Sequence, residues 1–170
     1  MTKLTIIAAA AFALFAANAA QAQEYHSKDL TIFNSWARPA AESQYGAVYL
    51  TIKNAGNEAD TFISAESPIA EKTQIHETRI EDGVMKMRAV KDGIEIKPGS
   101  SLEFKPGGYH IMLLGLKKSL EVGAMAPLTI TLAKAGAISM EIKVEKTAPG
   151  TAEAHPMDMH GMKGMDHSAH

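Results

Sequence analysis

The chain contains no cysteine. That absence removes disulfides, thiolate zinc sites, thiol nucleophiles and lipid attachment through a cysteine. It also excludes a blue-copper electron-transfer centre, whose ligand set includes a thiolate. An excess of positive charge is missing too: the formal net charge is -2 at pH 7 and Lys and Arg form no patch, so nucleic acid is not an expected partner. There is no internal repeat, no Gly-rich phosphate loop, no Gly-x-Ser-x-Gly elbow and no apolar stripe of helical period. What the sequence does hold is thioether and imidazole, with ten methionines and seven histidines in 170 residues.

The first residues read as an export signal. Lys3 gives a positive start, Ile6 to Ala17 is an unbroken apolar run of twelve residues, and Ala20-Gln21-Ala22 offers small residues to a signal peptidase. The run is too short for comfortable bilayer spanning. Residues 1–22 are therefore expected to be cleaved, leaving a periplasmic protein with no stable membrane insertion. A cut one residue later would set His26 third from a free amine, a geometry suited to Cu(II); otherwise His26 is a surface residue.

Between residues 28 and 146 the chain runs in short β-branched bursts separated by turns. Val48, Leu50 and Ile52 fall on one face of such a burst. Asn54-Ala55-Gly56-Asn57, Asp82-Gly83, Asp92-Gly93, Pro98-Gly99, Pro106-Gly107 and Ala135-Gly136 punctuate the series. About ten strands at this spacing argue for an all-β antiparallel sandwich or barrel. Leu116 to Val122 is the one place where a short helical turn is expected.

Two segments carry chemistry. If Ile80 to Gly83 forms a four-residue hairpin loop, His76 faces Met87, and directly opposed Cβ atoms lie only about 4.5–5.5 Å apart. If Asp82-Gly83 alone forms the turn, His76 faces Ala89 instead and the pairing slips, so the shared pocket depends on the longer loop. On the other segment, His110 and Met112 are two apart and project from one face of a strand, with Gly107-Gly108 allowing a tight turn before them. Two imidazoles and two thioethers, with Met85 as a spare, make a set that fits Cu(I) better than zinc or iron, since thioether is soft and has no proton to lose. The plainer alternative is that Met85, Met87 and Met112 fill gaps in the core, as Met125 and Met140 are expected to do.

Trp36-Ala37-Arg38-Pro39, Gly46-Ala47-Val48-Tyr49, His76-Glu77-Thr78, Gly83-Val84-Met85-Lys86-Met87-Arg88 and Pro106-Gly107-Gly108-Tyr109-His110-Ile111-Met112-Leu113 resemble the periplasmic copper chaperone family PCu(A)C. The resemblance covers roughly residues 28 to 146. Ten residues separate His76 from Met87 and twenty-two separate Met87 from His110, close to the family's spacing. The resemblance implies a cupredoxin-like, antiparallel Greek-key β-sandwich over residues 23–146 that binds one Cu(I) through His76, Met87, His110 and Met112. It further implies a metallochaperone, not an enzyme, that passes copper to cytochrome oxidase subunit II or to another copper chaperone. A copper buffer or resistance protein without a dedicated recipient is the second reading, and a copper redox enzyme the third.

After Lys146 the composition changes. Thr147 to Ala154 reads as a flexible linker. The last sixteen residues hold His155, Met157, Met159, His160, Met162, Met165, His167 and His170, which is four of the ten methionines and four of the seven histidines. Without large aliphatic or aromatic partners this density has no packing explanation. Residues 147–170 are expected to be a disordered tail that binds further Cu(I) through sulfur, or Cu(II) through histidine with Asp158 and Asp166.

Overall fold

The computed structural model describes residues 23–149. The expected signal peptide lies outside the described residues, as do all the tail histidines and methionines.

The described residues form eleven strands and no helix: β1 (Tyr25–Ser27), β2 (Leu30–Ala37), β3 (Gly46–Asn54), β4 (Asp60–Glu66), β5 (Ala70–Glu81), β6 (Val84–Ala89), β7 (Ile94–Ile96), β8 (Ser101–Phe104), β9 (Tyr109–Leu116), β10 (Met125–Leu132) and β11 (Gly136–Val144). Their order in the sheet is β6-β5-β9-β8-β3-β2-β11-β10-β4-β7; β1 pairs on β2, and β3 also pairs with β9. Most pairings are antiparallel, with parallel contacts of β11 with β2 and of β8 with β9.

The two halves of this path face one another across a single core. Val48, Leu50 and Ile52 on β3, Leu128, Ile130 and Leu132 on β10 and Ile142 and Val144 on β11 are all at most 2% exposed, each set at the period of two that a strand with one buried face requires. Phe62 of β4 meets Phe104 of β8 with ring centroids 4.8 Å apart, joining the two halves. Burying one such side chain stabilises the fold by about 1.5–3 kcal/mol. Met140 belongs to this core as expected, whereas Met125 opens β10 at 40% exposure and fills no gap. The expected helical turn at Leu116–Val122 is absent; Leu120 instead makes a two-way backbone bridge with Ala40, which uses the N–H and C=O groups that a helix would have paired locally.

Candidate metal centre

The site is built on β5, which runs between β6 and β9. On β9 it pairs in a register that sets Gln74 across from Met112, Ile75 across from Ile111, and His76 directly across from His110. Ile75 and Ile111 point into the core. Side chains alternate along a strand, so Gln74, His76, His110 and Met112 share the opposite face.

The pairing of β5 with β6 corrects the four-residue-loop expectation. His76 lies across from Ala89, Thr78 from Met87 and Ile80 from Met85, so Asp82-Gly83 is a two-residue turn. Both turn residues have positive φ, 54° and 77°. That is the type I′ geometry whose twist suits a hairpin and which Asp-Gly favours. The register differs from the four-residue case by two residues, and a shift of two leaves every side chain on its original face. Met87 is thus a diagonal neighbour of His76 rather than its opposite, and diagonal positions about 7–8 Å apart stay within reach of a long side chain. Met85 lies one pair farther out.

The hairpin therefore has two unlike faces. One carries Glu77, Arg79, Glu81, Lys86 and Arg88, linked by Arg79–Glu77 at 2.8 Å, Lys86–Glu81 at 3.0 Å and Arg88–Glu81 at 2.9 Å. The other carries Ile80, Met85 and Met87, which are 74%, 70% and 55% exposed. Across β9, Ala47 pairs with Met112, and Tyr49 follows on the same face of β3. Tyr49 stacks on Trp36 at 4.7 Å with the Arg38 guanidinium 5.9 Å over its ring. This aromatic pair lies on the β3 side of the site, and β6 on its other side is the end strand of the order.

The two imidazoles meet edge to face, with ring centroids 5.8 Å apart. His110 is 4% exposed. Its Nδ1 donates to the Gly108 carbonyl at 3.1 Å, and a carbonyl can only accept, so Nε2 carries the lone pair. His76 Nε2 donates to the Gln74 carboxamide oxygen at 3.4 Å, which leaves the lone pair on Nδ1. Both lone-pair nitrogens, His76 Nδ1 and His110 Nε2, are buried without a hydrogen-bond partner. Burial, followed by the nearness of His110, holds the His76 pKa below the ordinary imidazole value, so the ring is neutral at pH 7. Two imidazoles, each with one buried nitrogen lacking a hydrogen-bond partner, on one face are suited to a cation that prefers nitrogen. Among the described residues no group of three His, Cys, Asp or Glu is assembled, and the side chains that share this face include the thioethers of Met112 and Met87.

Sequence reasoning proposed His76, Met87, His110 and Met112 as candidate ligands, and the strand pairing sets all four on one face of β6, β5 and β9, with Met87 diagonal to His76 rather than opposite it. It missed Gln74 and the Gly108 carbonyl, which set the two tautomers. The signal for Gln74 was present, since it lies two residues before His76 on the same strand. Exposed His26 sits on β1, with Nδ1 3.2 Å from Thr31 Oγ1 and Nε2 3.6 Å from Glu24.

The family model described as LpqE-like matches residues 30–144. Among curated proteins, Lxx21020 of Leifsonia xyli subsp. xyli, named as a lipoprotein, is 35% identical over 65% of this chain and 66% of its own length. RP573 of Rickettsia prowazekii is 34% identical over 52% of this chain and 51% of its own. The chain thus spans about two thirds of one relative and half of the other. Among solved structures, the copper-bound PCuAC domain from PmoF2 is 25% identical with a TM-score of 0.61, covering 74% of this chain and 99% of that one. The apo PCuAC domain from PmoF1 has a TM-score of 0.63 at 23% identity, covering 74% and 100%. Cu(I)-DR1885 from Deinococcus radiodurans has a TM-score of 0.52 at 24% identity, covering 73% and 81%. The eleven strands therefore form a cupredoxin-like β-sandwich, and the chain belongs to the LpqE-like family of PCuAC-type domains.

Proposed function

We propose that this protein is an exported copper carrier that holds one Cu(I) through His76 Nδ1, His110 Nε2 and the sulfurs of Met112 and Met87. The observation that carries the reading is the pair of buried imidazole nitrogens without partners. A buried polar atom left unpaired costs about 1–3 kcal/mol, and a bound cation would remove that cost. Copper is favoured over zinc because the remaining candidate donors are thioethers. Two solved neighbours are described as copper-bound or Cu(I)-loaded, which supports the choice.

The chain's own residues divide the work. Burial keeps His76 neutral, and the Gly108 carbonyl orients His110. Met87, more than half exposed on an edge strand, is the donor that an incoming recipient would displace first. A carrier needs such an exit, and an open β6 flank supplies it. We read the recipient as the copper site of cytochrome oxidase subunit II or another copper chaperone. Residues 1–22 act as the periplasmic signal, 23–146 as the copper domain, and 147–170 as a tail that collects additional Cu(I) or Cu(II). Because the sequence has no cysteine, lipid attachment as implied by the name of Lxx21020 does not carry over.

The test is transfer. The Cu(I)-loaded protein is mixed with an apo oxidase subunit II copper domain and both are assayed for copper after separation. Movement of copper with wild-type protein, and none with the His76→Ala, His110→Ala variant, supports the carrier. Copper held tightly but not released would favour a buffer. Loss of the tail should lower copper stoichiometry while leaving one Cu(I); loss of all copper on truncation would contradict a site in the domain.

A further inference from the structure

The two imidazoles of the centre are held in opposite senses. On His110 the inner nitrogen Nδ1 is tied to a main-chain carbonyl, and Nε2 is free. On His76 the outer nitrogen Nε2 is tied to a side chain, that of Gln74, and Nδ1 is free. The tie on His110 is provided by backbone and does not depend on any single side chain. The tie on His76 depends entirely on Gln74.

We infer that Gln74 is a positioning residue for the metal centre: its carboxamide oxygen holds the Nε2–H of His76, so that His76 meets the cation through Nδ1 while His110 meets it through Nε2. This rests on the copper reading above. Register explains why a residue two positions before His76 is the one that can do this. Gln74 and His76 project from the same face of β5, and Gln74 lies across from Met112, so the strand pairing sets it beside both a ring and a sulfur of the same centre. A free imidazole exchanges between tautomers, and a fixed acceptor at one nitrogen selects which nitrogen keeps the lone pair. Ties of this kind orient a ligand before the metal arrives, and removing one typically lowers metal affinity by about 10–100-fold.

The experiment is long-range proton–nitrogen correlation of the full chain with 15N-labelled histidine, first without metal and then with one equivalent of Cu(I), which is diamagnetic. Without metal, His76 should show a protonated Nε2 and an unprotonated Nδ1, and His110 the reverse. Cu(I) should then shift Nδ1 of His76 and Nε2 of His110. In Gln74→Leu, which keeps the volume but offers no acceptor, the His76 signals should average between the two tautomers while those of His110 stay as they were. Cu(I) affinity in a competition assay should fall by about 10-fold. Gln74→Glu, which restores an acceptor oxygen at the same length, should recover the His76 pattern. If metal-free His76 carries its proton on Nδ1, or if Gln74→Leu changes neither the pattern nor the affinity, the positioning role is wrong, whatever copper does. If the metal-free tautomers are as described but one equivalent of Cu(I) moves neither ring, the copper centre itself is wrong and the inference goes with it.

Discussion

Two of the places where the fold buries polar groups are treated differently. Asp60, at the start of β4, is 6% exposed and accepts backbone N–H bonds from Thr61 at 2.7 Å, Lys134 at 2.8 Å and Ala135 at 3.0 Å. Burial works to raise its pKa, but the three N–H donors and the Lys134 charge prevail and hold it below the ordinary carboxylate value. At the other end of the strand order, His76 and His110 also lie away from water, yet each keeps one nitrogen with nothing to bond. The first arrangement is complete and ties β4 to the turn after β10. The second is incomplete at one ring nitrogen on each of two neighbouring strands, Nδ1 of His76 and Nε2 of His110, as a ligand-binding site would be.

Changes at the two places should therefore separate binding from stability. The largest effect is expected for His110→Ala, which removes a proposed ligand: Cu(I) affinity should fall by more than about 100-fold, beyond the range of partners that only orient a ligand. Competition with a chromophoric Cu(I) chelator measures this. The metal-free variant should melt within a few degrees of wild type, because the deleted ring makes one hydrogen bond to a carbonyl on a turn. Asp60→Ala should do the opposite. Leaving three part-buried N–H groups without the carboxylate they bond should cost about 3 kcal/mol in urea unfolding, with Cu(I) affinity of the folded fraction unchanged.

pH should divide the same two regions. The His76 pKa is lower in the folded protein than in the unfolded chain, so the unfolded chain takes up the proton first. Its contribution to stability is complete above the unfolded value of about 6.5 and declines as pH falls below it. Copper binding should follow the same direction and weaken below about pH 6, as protons compete for imidazole. The lowered Asp60 value places its loss of stability at more acidic pH, below about 4. Urea midpoints of the metal-free protein between pH 8 and pH 3 should thus show two separate declines. The smallest effect is expected at the hairpin turn. Gly83 has φ of +77° with nothing within 4 Å of an added Cβ, so Gly83→Ala brings backbone strain but no clash. It should cost about 1–2 kcal/mol, and it should loosen the β6 edge that carries Met87 more than the His76–His110 pair, which β9 holds.

The sequence made much of this legible, and each gap has a physical reason. Alternation exposed the β-strands and set His110 and Met112 on one face, because the period of a strand is local information. The turn was harder. A four-residue loop puts His76 opposite Met87, whereas Asp-Gly prefers the two-residue turn that is found, and only the evenness of the shift kept the four donors on a common face. The direct opposition of His76 and His110 comes from pairing of β5 with β9, strands far apart in the chain, which no local signal announces. The same long-range pairing brings Gln74 to Met112, whereas the Gly108 carbonyl that holds His110 lies only two residues before it in the chain. The Leu116–Val122 segment shows the converse: a short helical turn is the local expectation there, and a distant partner, Ala40, takes the backbone groups of Leu120 instead.

The most direct measurement is X-ray absorption at the copper edge on protein ending at Lys146 and loaded with one equivalent of Cu(I). Two nitrogen and two sulfur neighbours are predicted, with the nitrogen signal lost in the His76→Ala, His110→Ala variant. A copper ion surrounded only by sulfur, or no copper retained once the tail is removed, would contradict the shared centre on β5, β6 and β9.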